Sequence, residues 1–407
     1  MPTSILVMPK SPAAWGGAAA LWVTVAGWSG ALRRRGVGSV IVTPGGMLTE
    51  DECVAATAST AAAGSGQPRF AKVPLVVRQG VRDVQRIHEM RSWSKRVVAV
   101  SATAGTDVGP FVWQHHELFH RAGERLASRF DRPLIEYVHA PVVWEARRWG
   151  VARRGTGAVL ERLGEQPQLR RADLVACVTA EVATRVEAFG VDPARIIVSP
   201  MGVDPERFTS TVDGSEYRRL WGELGDFVFG WVGSFRRFHA IEVAIEALAE
   251  LRARGLRAGL VLGGSGQDRP RLETIVAERG LSAWVRFTGQ VANSDVPRLL
   301  ASFDATVITA AAGQDFHYSP LKLREYMAMS LPTVGPDVGE LGRLAGAGGP
   351  VEVYSPGDAV GLADALARLA DDPVRRHELG ARARAHVIQT GTWDVMVADA
   401  IDALRAR

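Results

Sequence analysis

At 407 residues the chain is long for one hydrophobic core and natural for two. Its 47% apolar and 23% charged residues are the balance of a globular protein and exclude a disordered or fibrous chain. Two cysteines, Cys53 and Cys177, can neither frame a disulfide scaffold nor complete a structural zinc site, and a net charge of +4 comes with no nucleic-acid recognition motif. No run reaches the roughly 18 consecutive apolar residues of a membrane span. The opening stretch has neither a basic region nor a cleavage site, so it reads as a first strand rather than a signal peptide. A reducing, cytoplasmic setting is expected. Basic clusters at Arg33-Arg34-Arg35, Arg147-Arg148, Arg153-Arg154 and Arg170-Arg171 read either as solvated helix faces or as a surface for peripheral contact with the inner face of an anionic membrane.

In chain order, strands are predicted at 4–8, 37–42, 97–101, 134–138 and 174–178, then at 227–232, 259–262, 285–287, 305–308 and 333–335. Each is short, apolar on both faces and spaced for a crossover helix. The pattern predicts an α/β fold of two doubly wound parallel sheets, with ligands beyond the carboxyl ends of the strands. The seam falls near Ser199-Pro200-Met201-Gly202, giving domains at 1–200 and 201–388 and a closing segment at 389–407. Helices are predicted at 241–254, 357–370, 374–387 and 393–404.

Several junctions carry chemistry. Gly16-Gly17 stand where the first strand meets its helix, either to admit an anion to backbone amides or to make a tight turn. The second strand ends Val42-Thr43-Pro44-Gly45 with no acid, which disfavours a dehydrogenase. After the strand at 227–232, the run Gly233-Ser234-Phe235-Arg236-Arg237-Phe238-His239 puts basic groups where a phosphate would meet the sheet edge. The next loop, with Gly264 among three glycines, suits a phosphate or simply a turn. Pro320, after Ser319, opens a helix. The amides of Leu321 and Lys322 are then helix-start donors suited to a diphosphate. One turn on, in apolar surroundings, Glu325 can accept from both hydroxyls of a ribose.

Residues 320–328, Pro-Leu-Lys-Leu-Arg-Glu-Tyr-Met-Ala, resemble the donor-binding motif of glycosyltransferase family 4. The stretch 193–208 looks like the family's segment leading into the second domain, and 233–247 is similar to its phosphate loop and following helix. The resemblance covers about 1–20 and 130–407. It implies the GT-B architecture, two Rossmann-like domains with a cleft between them. The N-terminal domain would bind acceptor and the C-terminal domain the nucleotide sugar, and the final helix would pack back on the N-terminal domain.

The implied activity is retaining transfer of a hexose-type sugar from a nucleotide-diphosphate donor to an acceptor hydroxyl on a small molecule, glycan or lipid-linked group. A UDP-sugar is favoured, with GDP- or TDP-sugars as alternatives, and neither metal nor cofactor is implied. The resemblance makes His139, Arg236 and His317 the catalytic candidates. His139 ends a strand where the family places a group near the sugar, and His317 stands in place of the first glutamate of its usual pair. Gly16, Gly17, Gly233, Ser234, Arg236, Arg237, His239, Gly264, Ser319, Pro320, Leu321, Lys322 and Glu325 are the donor-binding candidates. Ser234 and His239 replace the usual phosphate-clamping Arg and Lys, so Arg236 or Arg237 is expected to supply that charge. Trp113, His115, His116 and Trp144 are candidates for the acceptor side, since aromatic faces suit pyranose rings, although core packing explains tryptophans equally. A sugar-nucleotide epimerase of GT-B fold and a non-catalytic sugar-nucleotide-binding protein remain as alternatives.

Overall fold

Strands buried on both faces need a neighbour on each side, and the apolar runs meet that need in two parallel sheets. The computed structural model describes residues 3–11, 19–59, 75–100, 108–148, 153, 156–314 and 319–407. It divides into two units, Met1–Met201 with Trp393–Arg407, and Gly202–Thr392, against the expected limits of 1–200, 201–388 and 389–407.

Unit 1 holds β1 (Thr3–Val7), β2 (Gly38–Thr43), β3 (Gly46–Leu48), β4 (Val108–His115), β5 (Leu134–Val138), β6 (Leu174–Cys177) and β7 (Ile196–Val198). Their order is β3-β2-β1-β4-β5-β6-β7, parallel throughout except for the β2–β3 hairpin. The centre is aromatic: Trp28 packs 5.6 Å from Trp113 and 5.8 Å from Tyr137, ring centre to ring centre.

One predicted strand is corrected. Residues 97–100 end the long helix Leu75–Val100, and the strand that enters the sheet is β4. β4 contains Gly109-Pro110, although a proline removes a ladder donor. In the sheet those residues sit at an irregularity in the β1–β4 register, between Thr3 and Ile5. A Cβ on Gly109 would come 2.7 Å from the backbone nitrogen of Ser4, so glycine lets the two strands close at a bulge.

The C-terminal helix Trp393–Arg405 belongs to unit 1. It lies on the helix Ala19–Arg34, where Gly27 leaves the space that Trp393 fills: a Cβ there would fall 2.3 Å from the indole. Arg34 grips Asp394 with two guanidinium nitrogens at 2.7–3.0 Å.

Unit 2 holds β8 (Phe227–Val232), β9 (Ala258–Gly263), β10 (Val285–Gly289), β11 (Ala305–Val307), β12 (Thr333–Pro336) and β13 (Glu352–Tyr354). The order is β10-β9-β8-β11-β12-β13, all parallel. The direction of winding reverses between β8 and β11, and the crevice at their carboxyl ends is where such sheets take ligands.

Candidate functional site

In unit 2 the loops after β8 and β9 are locked together. The Gly233 N–H donates to the Gly263 carbonyl at 2.9 Å, and the Phe235 N–H to the Ser265 carbonyl at 2.9 Å. Gly264, at φ +126°, lies so close that a Cβ would come 1.9 Å from the Gly233 carbonyl oxygen. Its amide already donates to Gly289 at 2.9 Å. Gly264 therefore shapes the loop of its neighbours, and its amide is not on offer to a phosphate.

On that loop Ser234, Arg236 and Arg237 are exposed. Arg237 stands 3.9 Å from the Asp268 carboxylate, whereas Arg236 has no ion pair among the described residues. His239 packs its ring 5.3 Å from Trp231 and 4.2 Å from Phe238. Burial, with the cations Lys322 and Arg236 nearby, holds it well below the usual imidazole range. It is a neutral ring rather than a clamp.

Pro320 is extended, at φ −75° and ψ 110°, and the helix Leu321–Ala328 follows it. No described residue accepts from the amides of Leu321 or Lys322. The helix is tied to the sheet edge by Tyr326, whose hydroxyl accepts from the Val232 N–H at 2.9 Å. Lys322 lays its Nζ 3.5 Å from the centre of the Trp231 ring. Gly233 makes room for that ammonium, since a Cβ there would stand 3.0 Å from it. Burial brings Lys322 down to about 7, with Glu325 opposing. Burial lifts Glu325 to about 7, with Arg207 and Lys322 opposing, and its carboxylate has no hydrogen-bond partner among the described residues.

Behind this edge, Ser319 donates to Glu340 at 3.0 Å, and Glu340 also pairs with the buried Arg324. The Ser319 hydroxyl is thus committed to the protein. Arg207 donates to the carbonyl of Asn293 in the loop after β10 and covers Phe208, 5.0 Å from its ring centre. Reasoning from sequence passed over Arg207, Tyr326 and Glu340. Arg207 and Tyr326 lie within the stretches that carry the family resemblance, 193–208 and 320–328, and Glu340 lies beyond them.

In unit 1, β4 and β5 bring His115, His116 and His139 to one sheet edge. The His139 ring lies 4.9 Å from His115 and 5.3 Å from Tyr137. Burial holds it down at about 4, against the pull of Glu145, and its Nε2 is buried with no hydrogen-bond partner. The acceptor candidates fare differently. Trp113 is wholly buried, 5.5 Å from Tyr137, and presents no face to a sugar. His116 is fixed between Glu136 at 3.1 Å and Glu165 at 3.3 Å, with no side chain of the three exposed. Burial pushes its pKa down, but the two carboxylates outweigh that and hold it at about 9. His115 is buried as well. Trp144 alone of the four is half-buried, with the Arg148 guanidinium 3.8 Å over its ring. Core packing and a buried ion network, respectively, account for Trp113 and His116, and both are withdrawn as acceptor contacts. Gly16, Gly17 and His317 lie outside the described residues. Among the described residues no group of three or more His, Cys, Asp or Glu is placed to hold a metal ion, and no helix is long and apolar enough to cross a membrane.

Residues 21–207 match the family described as Glycosyltransferase Family 4, and residues 226–372 the one described as Glycosyl transferases group 1. The chain is 32% identical over 294 residues to the D-inositol 3-phosphate glycosyltransferase of Kineococcus radiotolerans, an overlap of 67% of this chain and 66% of that one. It is 27% identical over 274 residues to the alpha-D-kanosaminyltransferase of Streptomyces kanamyceticus, covering 67% of this chain and 64% of the relative. The chain thus spans about two thirds of the length of these relatives. Among solved structures, the sucrose-phosphate synthase of Thermosynechococcus elongatus superposes with a TM-score of 0.71 at 19% identity, over 100% of this chain and 99% of that one. The Anabaena protein HepE, solved with UDP and glucose, superposes at 0.63 and 18% identity over 99% of each chain. These two likenesses are of fold.

Proposed function

The chain belongs to glycosyltransferase family 4, and from that premise we propose that it moves a hexose-type sugar from a nucleoside-diphosphate donor, a UDP-sugar first, to an acceptor hydroxyl with retention and without a metal ion. The observation that carries this is the set of groups at the carboxyl edge of unit 2 with no hydrogen-bond or ion-pair partner among the described residues: the Arg236 guanidinium, the amides of Leu321 and Lys322, the Lys322 ammonium on the Trp231 ring and the Glu325 carboxylate. Their charges and spacing suit a diphosphate followed by a ribose. That HepE was solved with UDP and glucose supports the same donor.

In this reading the bond from the anomeric carbon to the β-phosphate oxygen breaks, and the bond to the acceptor oxygen forms on the same face. The negative charge that develops on the phosphate is met by Arg236 and by the helix-start amides, of which the amides are fixed by the helix and need no rearrangement. Lys322, near 7 in the free protein, is drawn fully to its charged form by the incoming diphosphate. The leaving phosphate takes the acceptor proton, so no side-chain base is required. His139, neutral at pH 7, contributes a hydrogen bond to the sugar rather than a charge. The relative named for inositol phosphate supports a polyhydroxylated acceptor. A cytoplasmic location with peripheral membrane contact is also proposed. Exposed Val81, Val84, Val159 and Leu163 beside exposed Arg82 and Arg162 support that contact.

The test is a thermal-shift panel of nucleotide sugars, followed by assay of nucleotide release in excess chelator. A ligand that binds only the folded state raises the melting temperature, and one UDP-hexose should stand out. Release that stops on chelation and returns with magnesium or manganese overturns the metal-free reading. Conversion of the sugar without release assigns an epimerase, and binding with no turnover assigns a binding protein.

A further inference from the structure

The buried ion network of unit 1 lies beside the turn that carries His139. Glu165 ends a short π-helical segment, Glu161–Glu165, a form that recurs at functional sites. One of its carboxylate oxygens accepts from the Val142 N–H at 2.5 Å, and the other lies 3.5 Å from the Val143 nitrogen. These are the opening amides of the helix Val142–Arg148, which have no carbonyl of their own helix to donate to. Glu165 is held in turn by His116 Nε2 at 3.3 Å, and His116 Nδ1 lies 3.1 Å from Glu136. Gln114 donates to Glu136 at 2.8 Å and accepts from the Gly123 N–H at 2.5 Å. The network thus runs from β4 through β5 to the π-helical segment. It ends on Val142, three residues past His139, with only Ala140 and Pro141 between.

We infer that His116 and Glu165 are positioning residues, which by capping Val142 and Val143 fix the turn at His139 and so set the direction of that imidazole. The inference rests on the reading of His139 as a group that meets the donor sugar. Stability alone gives little reason for such a device. A buried ion set is often replaced by apolar packing at no loss, whereas removing one partner leaves an uncompensated charge. His116 is faced by Glu136 from β5, by Glu165 from the π-helical segment and by Gln168 from the helix after it. On its own strand and the turn beyond, His115, Glu117 and His120 are its neighbours. With both carboxylates in place it stays protonated until about pH 9. Above that pH the hold on Glu165 weakens.

The test uses the full chain and measures UDP release from a UDP-hexose, with kcat, KM and melting temperature for each variant. Glu165→Ala should lower kcat at least tenfold and leave the donor KM within twofold. Glu165→Gln, which keeps an oxygen for the Val142 N–H, should recover most of the loss. His116→Gln should lower kcat and abolish the fall in wild-type kcat near pH 9. Wild-type kcat in folded Glu165→Ala, with His139→Ala impaired, overturns the inference and spares the His139 reading. Wild-type kcat in His139→Ala sinks both. Should Glu165→Ala fail to fold, His116→Gln decides: an unchanged kcat and pH profile overturns the inference, and the predicted change in both upholds it.

Discussion

Lys322 and Glu325 stand one helical turn apart, both half-buried, and burial moves both titrations to about 7. For Glu325 the stability consequence follows from linkage. The unfolded carboxyl gives up its proton near 4.5 and the folded one near 7. The folded state therefore loses stability as pH rises from 4.5 through 7, and the loss is constant above. Glu325→Gln should accordingly melt higher than wild type at pH 8 and gain nothing at pH 4. The same variant should bind a UDP-sugar more weakly by roughly 1.5–3 kcal/mol, the worth of a hydrogen bond to a charged group. Calorimetry with the nucleotide sugar checks this, and unchanged affinity would remove Glu325 from the site. The two arginines of the loop separate by the same logic. Arg236 is uncommitted and Arg237 stands near Asp268, so Arg236→Ala should weaken nucleotide binding on the order of tenfold or more. Arg237→Ala should weaken it far less, and the reverse ranking would transfer the role to Arg237.

At the scale of loops and strands, the proposed donor edge depends on a contact between two glycines. Gly264→Ala would drive a Cβ against the Gly233 carbonyl in a left-handed backbone. It should cost about 1–3 kcal/mol of stability and displace the loop that bears Arg236, so nucleotide affinity should fall with the melting temperature. Full affinity in a folded Gly264→Ala protein would show that the loop tolerates the shift. This contact was not legible in the sequence, where the glycines of that turn allowed a phosphate site as readily as a bend. What a sequence displays is the burial period: β5 and β8 have the limits their apolar runs predict, and most of the other predicted strands fall within two residues. It does not display a strand whose regularity is broken by its partner, as in β4. Nor does it display β3, β7 and β13, three residues each and too short for a period to show, although the equally short β11 is marked by its apolar run at 305–308. Polar groups were harder still. His116 and Trp113 have the residue types of a sugar-binding surface, and only the packing shows that one is held by two buried glutamates and the other by aromatic rings. Lys322 and Glu325 were legible because helix spacing alone puts them on one face.

Over the whole molecule, unit 1 is closed by residues from the far end of the chain. The seat of Trp393 against Gly27 and the Arg34–Asp394 pair make the last helix part of its core. Trp393→Ala should destabilise unit 1 by about 3–5 kcal/mol, the usual cost of removing a buried indole, and leave unit 2 unaffected. Differential calorimetry should then show one transition lowered and the other unmoved. A single transition shifted as a whole would mean that the units unfold together.

That closure also has a consequence in time. The chain leaves unit 1 at Met201 and returns to it at Trp393, so a ribosome must make all of unit 2 before the slot beside Gly27 can be filled. At roughly 5–20 residues per second the wait is on the order of ten seconds or more. During it the first-made half holds an unfinished core with an apolar helix face uncovered, and by its end, at Thr392, the second-made half has every residue it needs. The order of completion is therefore the reverse of the order of synthesis. The vulnerable species in the cell is a nascent first unit, a target for chaperones, waiting for its own last helix.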